Sequence, residues 1–233
     1  MWLPFRRKSV GPDAYLAPLH PAAARYAVID TELTGLDPRR DSIVSLGALR
    51  VAGGRIDLAD RFYEEARPAS ALTAASIVLH GITPQEVRDR RMIGGVLEDF
   101  AAFRGADILV GHFIEIDLDF LRRELAQAGL AAIANPALDT WPLYDWMSSR
   151  KPASGEGLPR LKDPRLPELA GALGVPSHGE HNALSDAFVT AQVFQRLLRR
   201  LDRWGITTTG QLLRIADPRR ATRWPREDTA PLA

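Results

Sequence analysis

Apolar positions in this chain fall into two spacings. Tyr26-Ala27-Val28-Ile29 is a short unbroken apolar run, the pattern of a strand buried on both faces. Ser42 to Val51 reads as a second strand and Ile56 to Tyr63 as a third, with Gly53-Gly54 between them as a hairpin turn. Ile108–Gly111 is a fourth, buried strand, and Asp139–Met147 reads as a strand end passing into a short helix. Helical spacing marks Thr83–Val87, Met92–Phe103, Pro167–Leu173, Asn182–Leu201 and Ile206–Ile215. It also marks residues 116–128, where Ile116, Phe120, Leu121, Leu125 and Ala128 recur before Gly129. Thr83 ahead of Pro84 predicts an N-cap followed by proline at the first helical position. A meander of three antiparallel strands, then helices crossing to further strands, predicts an α/β mixed sheet with helices on both faces.

The flanks read differently. Residues 1–24 lack periodicity and carry Pro4, Pro12, Pro18 and Pro21, so they read as an extended arm. Residues 25–202 hold the periodic pattern of one domain. Residues 203–233 read as a C-terminal helix and, from Ala216 on, a loose basic tail. Ser148 to Pro167 is rich in proline, glycine and basic residues and reads as a loop.

Polar residues interrupt the apolar pattern at three informative places. Asp30-Thr31-Glu32 ends the first strand, and the period of two aims both carboxylates at one face. A divalent cation is the natural partner of such a pair, because hard cations such as Mg²⁺ and Mn²⁺ prefer carboxylate oxygens. His112 to Leu121, with Glu115, Asp117 and Asp119, follows the fourth strand. His181-Asn182-Ala183-Leu184-Ser185-Asp186 opens the long helix. Acids at strand ends and helix starts can converge on one cleft, and four carboxylates there can hold two metal ions about 3.5–4 Å apart.

The order Asp-x-Glu-x-Thr-Gly-Leu, His-x4-Asp-x2-Phe-Leu and His-x4-Asp-Ala resembles the three motifs of the DEDDh 3′-5′ exonucleases, the family that includes proofreading subunits of bacterial replicative polymerases. Leu79-His80-Gly81-Ile82-Thr83, Asp139-Thr140, Leu169-Ala170 and Leu173-Gly174-Val175 add to the resemblance, which runs from Tyr26 to Leu201. It implies a ribonuclease-H-like fold and makes residues 25–202 the exonuclease domain. It implies two divalent cations, Mg²⁺ or Mn²⁺, held by Asp30, Glu32, Asp117 and Asp186. Asp30 would bridge both ions, Glu32 and Asp186 would hold the one beside the attacking water, and Asp117 would act mainly through water on the other. His181 matches the general base, five positions before Asp186. The tyrosine of the sister subclass would fall on Asn182, and His178 has the wrong spacing. An imidazole is suited to accepting a proton near neutral pH. Leu33, Thr34 and His80 match positions that meet the terminal nucleotide.

Three acidic residues compete for the middle site. The motif register selects Asp117, and Asp119 is turned about 200° away on a helix. Glu115 at the helix start remains a rival, since negative charge is favoured there. Phe113 departs from the family, which usually has Asn at that place; it offers a surface for base stacking instead.

Composition narrows the reading further. There is no cysteine among 233 residues, which excludes disulfides and thiolate metal sites. The formal net charge is +1, unlike a protein that coats long nucleic acid, yet compatible with gripping a few terminal nucleotides. No apolar run is long enough for a membrane span and the start lacks a secretory core, so a cytoplasmic protein is expected. Arg150, Lys151, Arg160, Lys162 and Arg165 could track a phosphate backbone, and Arg219 to Arg226 could bind nucleic acid or a partner. The function expected is release of nucleoside 5′-monophosphates from single-stranded DNA or RNA ends, with a DNA polymerase subunit as an implied partner. Alternatives are an accessory module that holds nucleic-acid ends for a polymerase, and an RNA-trimming exoribonuclease.

Overall fold

The protein is described by a computed structural model, which covers residues 18–177 and 181–223. Five strands form one sheet: β1 (Arg25–Leu33), β2 (Ile43–Ala52), β3 (Arg55–Glu65), β4 (Ile108–Gly111) and β5 (Ala137–Asp139). Their order is β3-β2-β1-β4-β5. The β1–β2 and β2–β3 pairs are antiparallel, and β4 joins β1 and β5 in parallel. The mixed sheet expected from the sequence is therefore present. Gly53 and Gly54 make the β2–β3 turn with φ of 58° and 69°, a conformation glycine adopts without strain.

Eight α-helices lie among the described residues, besides short 3₁₀ helices: α1 (Ala74–His80), α2 (Pro84–Val87), α3 (Ile93–Arg104), α4 (Glu115–Gln127), α5 (Thr140–Ser148), α6 (Leu166–Ala172), α7 (Ala183–Leu198) and α8 (Thr209–Ile215). Alternation along the strands divides the core in two. Tyr26, Val28, Ile108 and Val110 pack with α5, α6 and α7. Ala27, Ile29, Leu46, Ala48 and Leu109 pack with α3 and α4 on the other face. The edge of Tyr26 meets the ring of Phe194 on α7, with centroids 4.8 Å apart.

Thr83 caps α2 as expected, and Glu86 returns the bond to the Thr83 backbone. The sequence pattern missed α1. That helix is set by its ends, a capping box of Thr73 with Ser76 and a left-handed Gly81. It has little core-facing stripe, since Val78 is 86% exposed and Leu79 also points outward. The C-terminal region also differs from the loose tail expected. Ala216 and Ala221 are buried, a 3₁₀ helix covers Pro218–Arg223, and the Ala216 carbonyl accepts from the Asp139 amide at 2.8 Å. The described end of the arm is packed too, because Leu19 accepts from both Thr209 N and Thr209 Oγ1. The rest of the arm and residues 224–233 lie outside the described residues.

One close approach fixes where α7 begins. Gly47 lies opposite Asp30 in the β1–β2 register, and a Cβ built on it would sit 2.3 Å from the backbone of Ala183. The glycine lets the first turn of α7 lie against the sheet. Gly47→Ala should destabilise the fold by about 1–3 kcal/mol, the cost of overpacking against atoms that cannot rotate away. Thermal unfolding measures this, and an unchanged melting temperature would refute the tight contact.

Candidate active site

Asp30 and Glu32 occupy the end of β1 on the face that carries Tyr26 and Val28, under the start of α7. Asp186 comes down from the first turn of α7, which Asn182 caps by accepting from Leu184 N and Ser185 N. One carboxylate oxygen from each of Asp30, Glu32 and Asp186 lies within 4.8 Å of the others. Burial, then Asp117, Glu32 and Asp186, holds the Asp30 carboxyl well above its usual range. Burial and the same kind of repulsion push Glu32 up to about 8. Burial also raises Asp186 to about 6, against the opposing charge of His181. Three oxygen donors that repel one another in a partly buried pocket suit a hard divalent cation, which would compensate their charge.

Asp117 enters from the opposite side of the sheet. It sits in the first turn of α4, and Thr31 Oγ1 donates to its Oδ1 at 2.6 Å. Thr31 points away from Asp30 and Glu32 by strand alternation, so β1 supplies two carboxylates on one face and an anchor for Asp117 on the other. The Asp117 charge still raises the carboxyls of Asp30 and Glu32, so it belongs to the same electrostatic cluster. Its own carboxyl is raised to about 7 by burial, with the Thr31 bond opposing. The rivals are neutralised elsewhere: Arg122 Nη1 donates to Glu115 at 2.8 Å and to Asp119 at 3.1 Å.

The turn that launches α4 is strained. Phe113 has φ of 55°, a left-handed value that costs a residue with a Cβ about 1–2 kcal/mol. Asp139 pins this turn to the start of α5. Its Oδ2 accepts from Ile114 N at 3.1 Å and its Oδ1 from Trp141 N at 2.9 Å. Next to it, His112 Nδ1 and Thr140 Oγ1 lie 2.8 Å apart. Burial lowers the His112 ring to about 4, opposed by the nearby Pro164 carbonyl. Phe113 is half-buried and tilted against the His112 ring, with centroids 4.5 Å apart. Thr31 and Gly47 are positioning residues that the motif pattern did not single out, whereas Asp139 is among the matches that add to the resemblance, without a role assigned to it. Of these, only Gly47, an isolated glycine inside a strand pattern, carries a signal of close backbone approach.

His181 is exposed and lies near enough to affect both Asp186 and His80. His178 is outside the described residues. His80 closes α1, is buried, and accepts from Ile82 N through Nδ1 at 3.0 Å. The neutral ring therefore carries its proton on Nε2, which has no partner among the described residues. Burial and the His181 charge lower the His80 pKa. Leu33 packs partly into the core. The Thr34 hydroxyl is engaged inside its own turn, accepting from Ser42 N at 2.9 Å and lying 2.7 Å from Ser70 Oγ.

Comparison with known proteins adds independent findings. The family model described as an exonuclease matches residues 27–194. The DNA polymerase III subunit epsilon of Aquifex aeolicus is 34% identical over 176 residues, which are 76% of this chain and 81% of that protein. The PolC-type DNA polymerase III of Thermotoga maritima is 31% identical over 194 residues, 83% of this chain but 13% of that polymerase. The chain thus spans a small part of the PolC-type relatives. Among solved structures, Escherichia coli Exonuclease I in complex with a dT13 oligonucleotide superposes with a TM-score of 0.64 at 20% identity, covering 78% of this chain and 42% of that one. At that identity the likeness speaks for the fold. With the family model spanning most of the chain and the Aquifex subunit matched over most of its own length, the chain belongs to the exonuclease family, as the resemblance of its three motifs to the DEDDh 3′-5′ exonucleases implies.

Proposed function

We propose that this chain removes nucleotides from the 3′ end of single-stranded DNA by metal-dependent hydrolysis, releasing nucleoside 5′-monophosphates. The carrying observation is the convergence of Asp30, Glu32 and Asp186 within 4.8 Å at the end of β1. Family membership supports the reaction class. The choice of DNA is supported by relatives named as a DNA polymerase III subunit and a PolC-type DNA polymerase III, and by oligonucleotide complexes of Exonuclease I. The same relatives make a DNA polymerase subunit the proposed partner. Among the described residues no helix is long and apolar enough to cross a membrane.

In this reading Asp30, Glu32 and Asp186 hold Mg²⁺ or Mn²⁺, and Asp117 completes a second ion's surroundings. Bound divalent cations supply charge compensation at the scissile phosphate and favour attack by water. The protein's own residues do the rest. Thr31 orients Asp117 through its hydroxyl. His181 accepts the proton of the attacking water, and its exposure leaves room for the proton to pass to solvent. His80 offers its unpartnered Nε2–H to an oxygen of the terminal nucleotide. Phe113 offers its ring to a base, and Leu33 and the Thr34 backbone offer contacts to the terminal nucleotide. Incubating labelled single-stranded DNA and RNA with Mg²⁺ or Mn²⁺ tests the whole reading. Mononucleotide release from the 3′ end is expected, blocked by a 3′-phosphate but not by a 5′-phosphate. Efficient cutting of a circular single strand would show an endonuclease instead.

Asp30→Asn should abolish turnover and raise the melting temperature of the metal-free protein. The sign follows from the raised acids. A carboxyl whose folded pKa lies above its unfolded value stabilises fully at low pH, and that stability is lost as pH climbs through the folded value. Glu32 at about 8, Asp117 at about 7 and Asp186 at about 6 set the window. Metal-free protein should therefore melt at lower temperature at pH 8 than at pH 5, and saturating Mg²⁺ should reduce the difference. A flat profile without metal would count against the crowded site.

Thr31→Val keeps the shape of the side chain but removes the donor to Asp117. Metal affinity should fall roughly 10- to 100-fold, as for other groups that orient ligands, and Thr31→Ser should restore it. Mn²⁺ titration followed by electron paramagnetic resonance reads this without relying on turnover. Equal affinities for Val and wild type would remove Thr31 from the site. His181→Ala should lower turnover by about 10²–10⁴-fold with Mn²⁺ binding intact, the range for a positioned proton acceptor. Loss of Mn²⁺ binding in that variant would make His181 a ligand rather than a base.

A further inference from the structure

We propose that residues 149–165, the loop from α5 to α6, form a second nucleic-acid site, a phosphate track that carries the strand away from the cleft. The inference rests on the exonuclease reading for the strand's direction. Arg150, Lys151 and Arg160 line a cavity of about 500 Å³ together with Ser148 and Ser149, and none of its lining residues is acidic. Glu156, the acid nearest in sequence, is exposed and does not line it. Arg150 lies over the Trp146 ring at 4.3 Å and donates to Trp146 O and Ser149 Oγ, so no carboxylate meets its charge. Lys151 and Arg160 have no hydrogen-bond or ion-pair partner among the described residues, and neither has Lys162. Arg165 drops out of the set expected from the sequence, because it is paired with Asp163.

Further positive charge stands behind the cavity. Ala153 N donates to Arg203 O at 2.6 Å, and Arg203 Nη1 lies 3.3 Å from where a Gly155 Cβ would be. Burial, then Arg196 and Arg203, lowers the pKa of Arg200, which marks cations crowded close together. The chain's net charge is only +1, yet Arg150, Lys151 and Arg160 share this cavity with no acid in its lining. Such clusters attract polyanions and hold them in a salt-dependent way.

The loop connects this cavity to the catalytic cleft. Tyr144 Oη donates to Pro159 O at 2.7 Å and ties the middle of the loop to α5. Pro164 then places its carbonyl beside His112, next to Phe113. Arg160 and Lys162 stand between these two anchors in sequence. Helix α5 has nine residues and links the two regions, from Thr140 at His112 to Ser148 at the cavity. At 1.5 Å per residue it spans about 13 Å, the rise of roughly four stacked nucleotides at 3.4 Å each. Phosphates four or more nucleotides from the 3′ end would reach the cavity. Cations on a backbone track read no sequence, which suits an enzyme that degrades any strand.

The test compares wild type with the double variant Lys151→Ala/Arg160→Ala on single strands of three and twelve nucleotides. The expected result is a KM for the longer strand raised about 10-fold, with its kcat and both constants for the trinucleotide unchanged. The slope of log KM against log salt for the longer strand should fall by about 1.4, since each phosphate contact of a single strand contributes about 0.7. Equal effects on both lengths, or none, would overturn the track and leave the surface for an acidic protein partner. Inorganic phosphate distinguishes a free-anion site: if it displaces both strand lengths equally at low millimolar concentration, the cavity binds the ion and no track exists. Fluorescence anisotropy of a 5′-labelled dodecanucleotide on metal-free protein separates this inference from the catalytic one. Weaker binding by the double variant supports the track even if wild type hydrolyses nothing, whereas active wild type with unaltered strand binding in the variant refutes the track alone.

Discussion

Repulsion among buried carboxylates governs the design of this molecule. Asp30, Glu32 and Asp186 approach within 4.8 Å, and Asp117 adds its charge from the opposite face. No hydrogen bond among these acids holds them together. Packing elsewhere must do so: β1 between β2 and β4, α7 pressed against Gly47, and α4 launched from a turn pinned by Asp139. The hydrophobic core on both faces of the sheet thus stabilises a charge arrangement that water alone would disperse.

Much of this was legible in the chain. Asp30 and Glu32 follow from period two in a strand whose apolar residues are plain to see, and Asp186 from its place one turn inside a long amphipathic helix. Asp117 required the motif register to separate it from Glu115, whereas helical geometry already turns Asp119 away; in the structure both rivals bond to Arg122. What the sequence hid were contacts across distance. Thr31 is eighty-six positions from Asp117, and nothing local pairs them. Asp139 looks like any helix cap until the α4 turn is placed beside it. Helix α1 was hidden for a different reason: its apolar residues face outward, so periodicity gave no core stripe to detect.

Phe113 joins these themes. A position with φ of 55° favours Gly or Asn, whose backbone or short polar side chain tolerates the left-handed region. The asparagine usual in the family therefore has a conformational explanation as well as a polar one. In this chain the turn carries an aromatic ring despite the strain, held by Asp139 and by contact with His112.

The wide separation of the four acids along the chain has a kinetic consequence. Residues 30, 32, 117 and 186 meet only after β1 has paired with β4 in parallel, Tyr26 beside Ile108, and α7 has closed on β2. Contacts so distant in sequence form late, since long loops must be ordered first. During synthesis the first motif emerges long before the third, and the chain then lacks the carboxylate of Asp186. The acidic cluster is thus assembled only as folding ends, and in partly folded chains its carboxylates stay dispersed in water, free of the repulsion that the finished core must withstand.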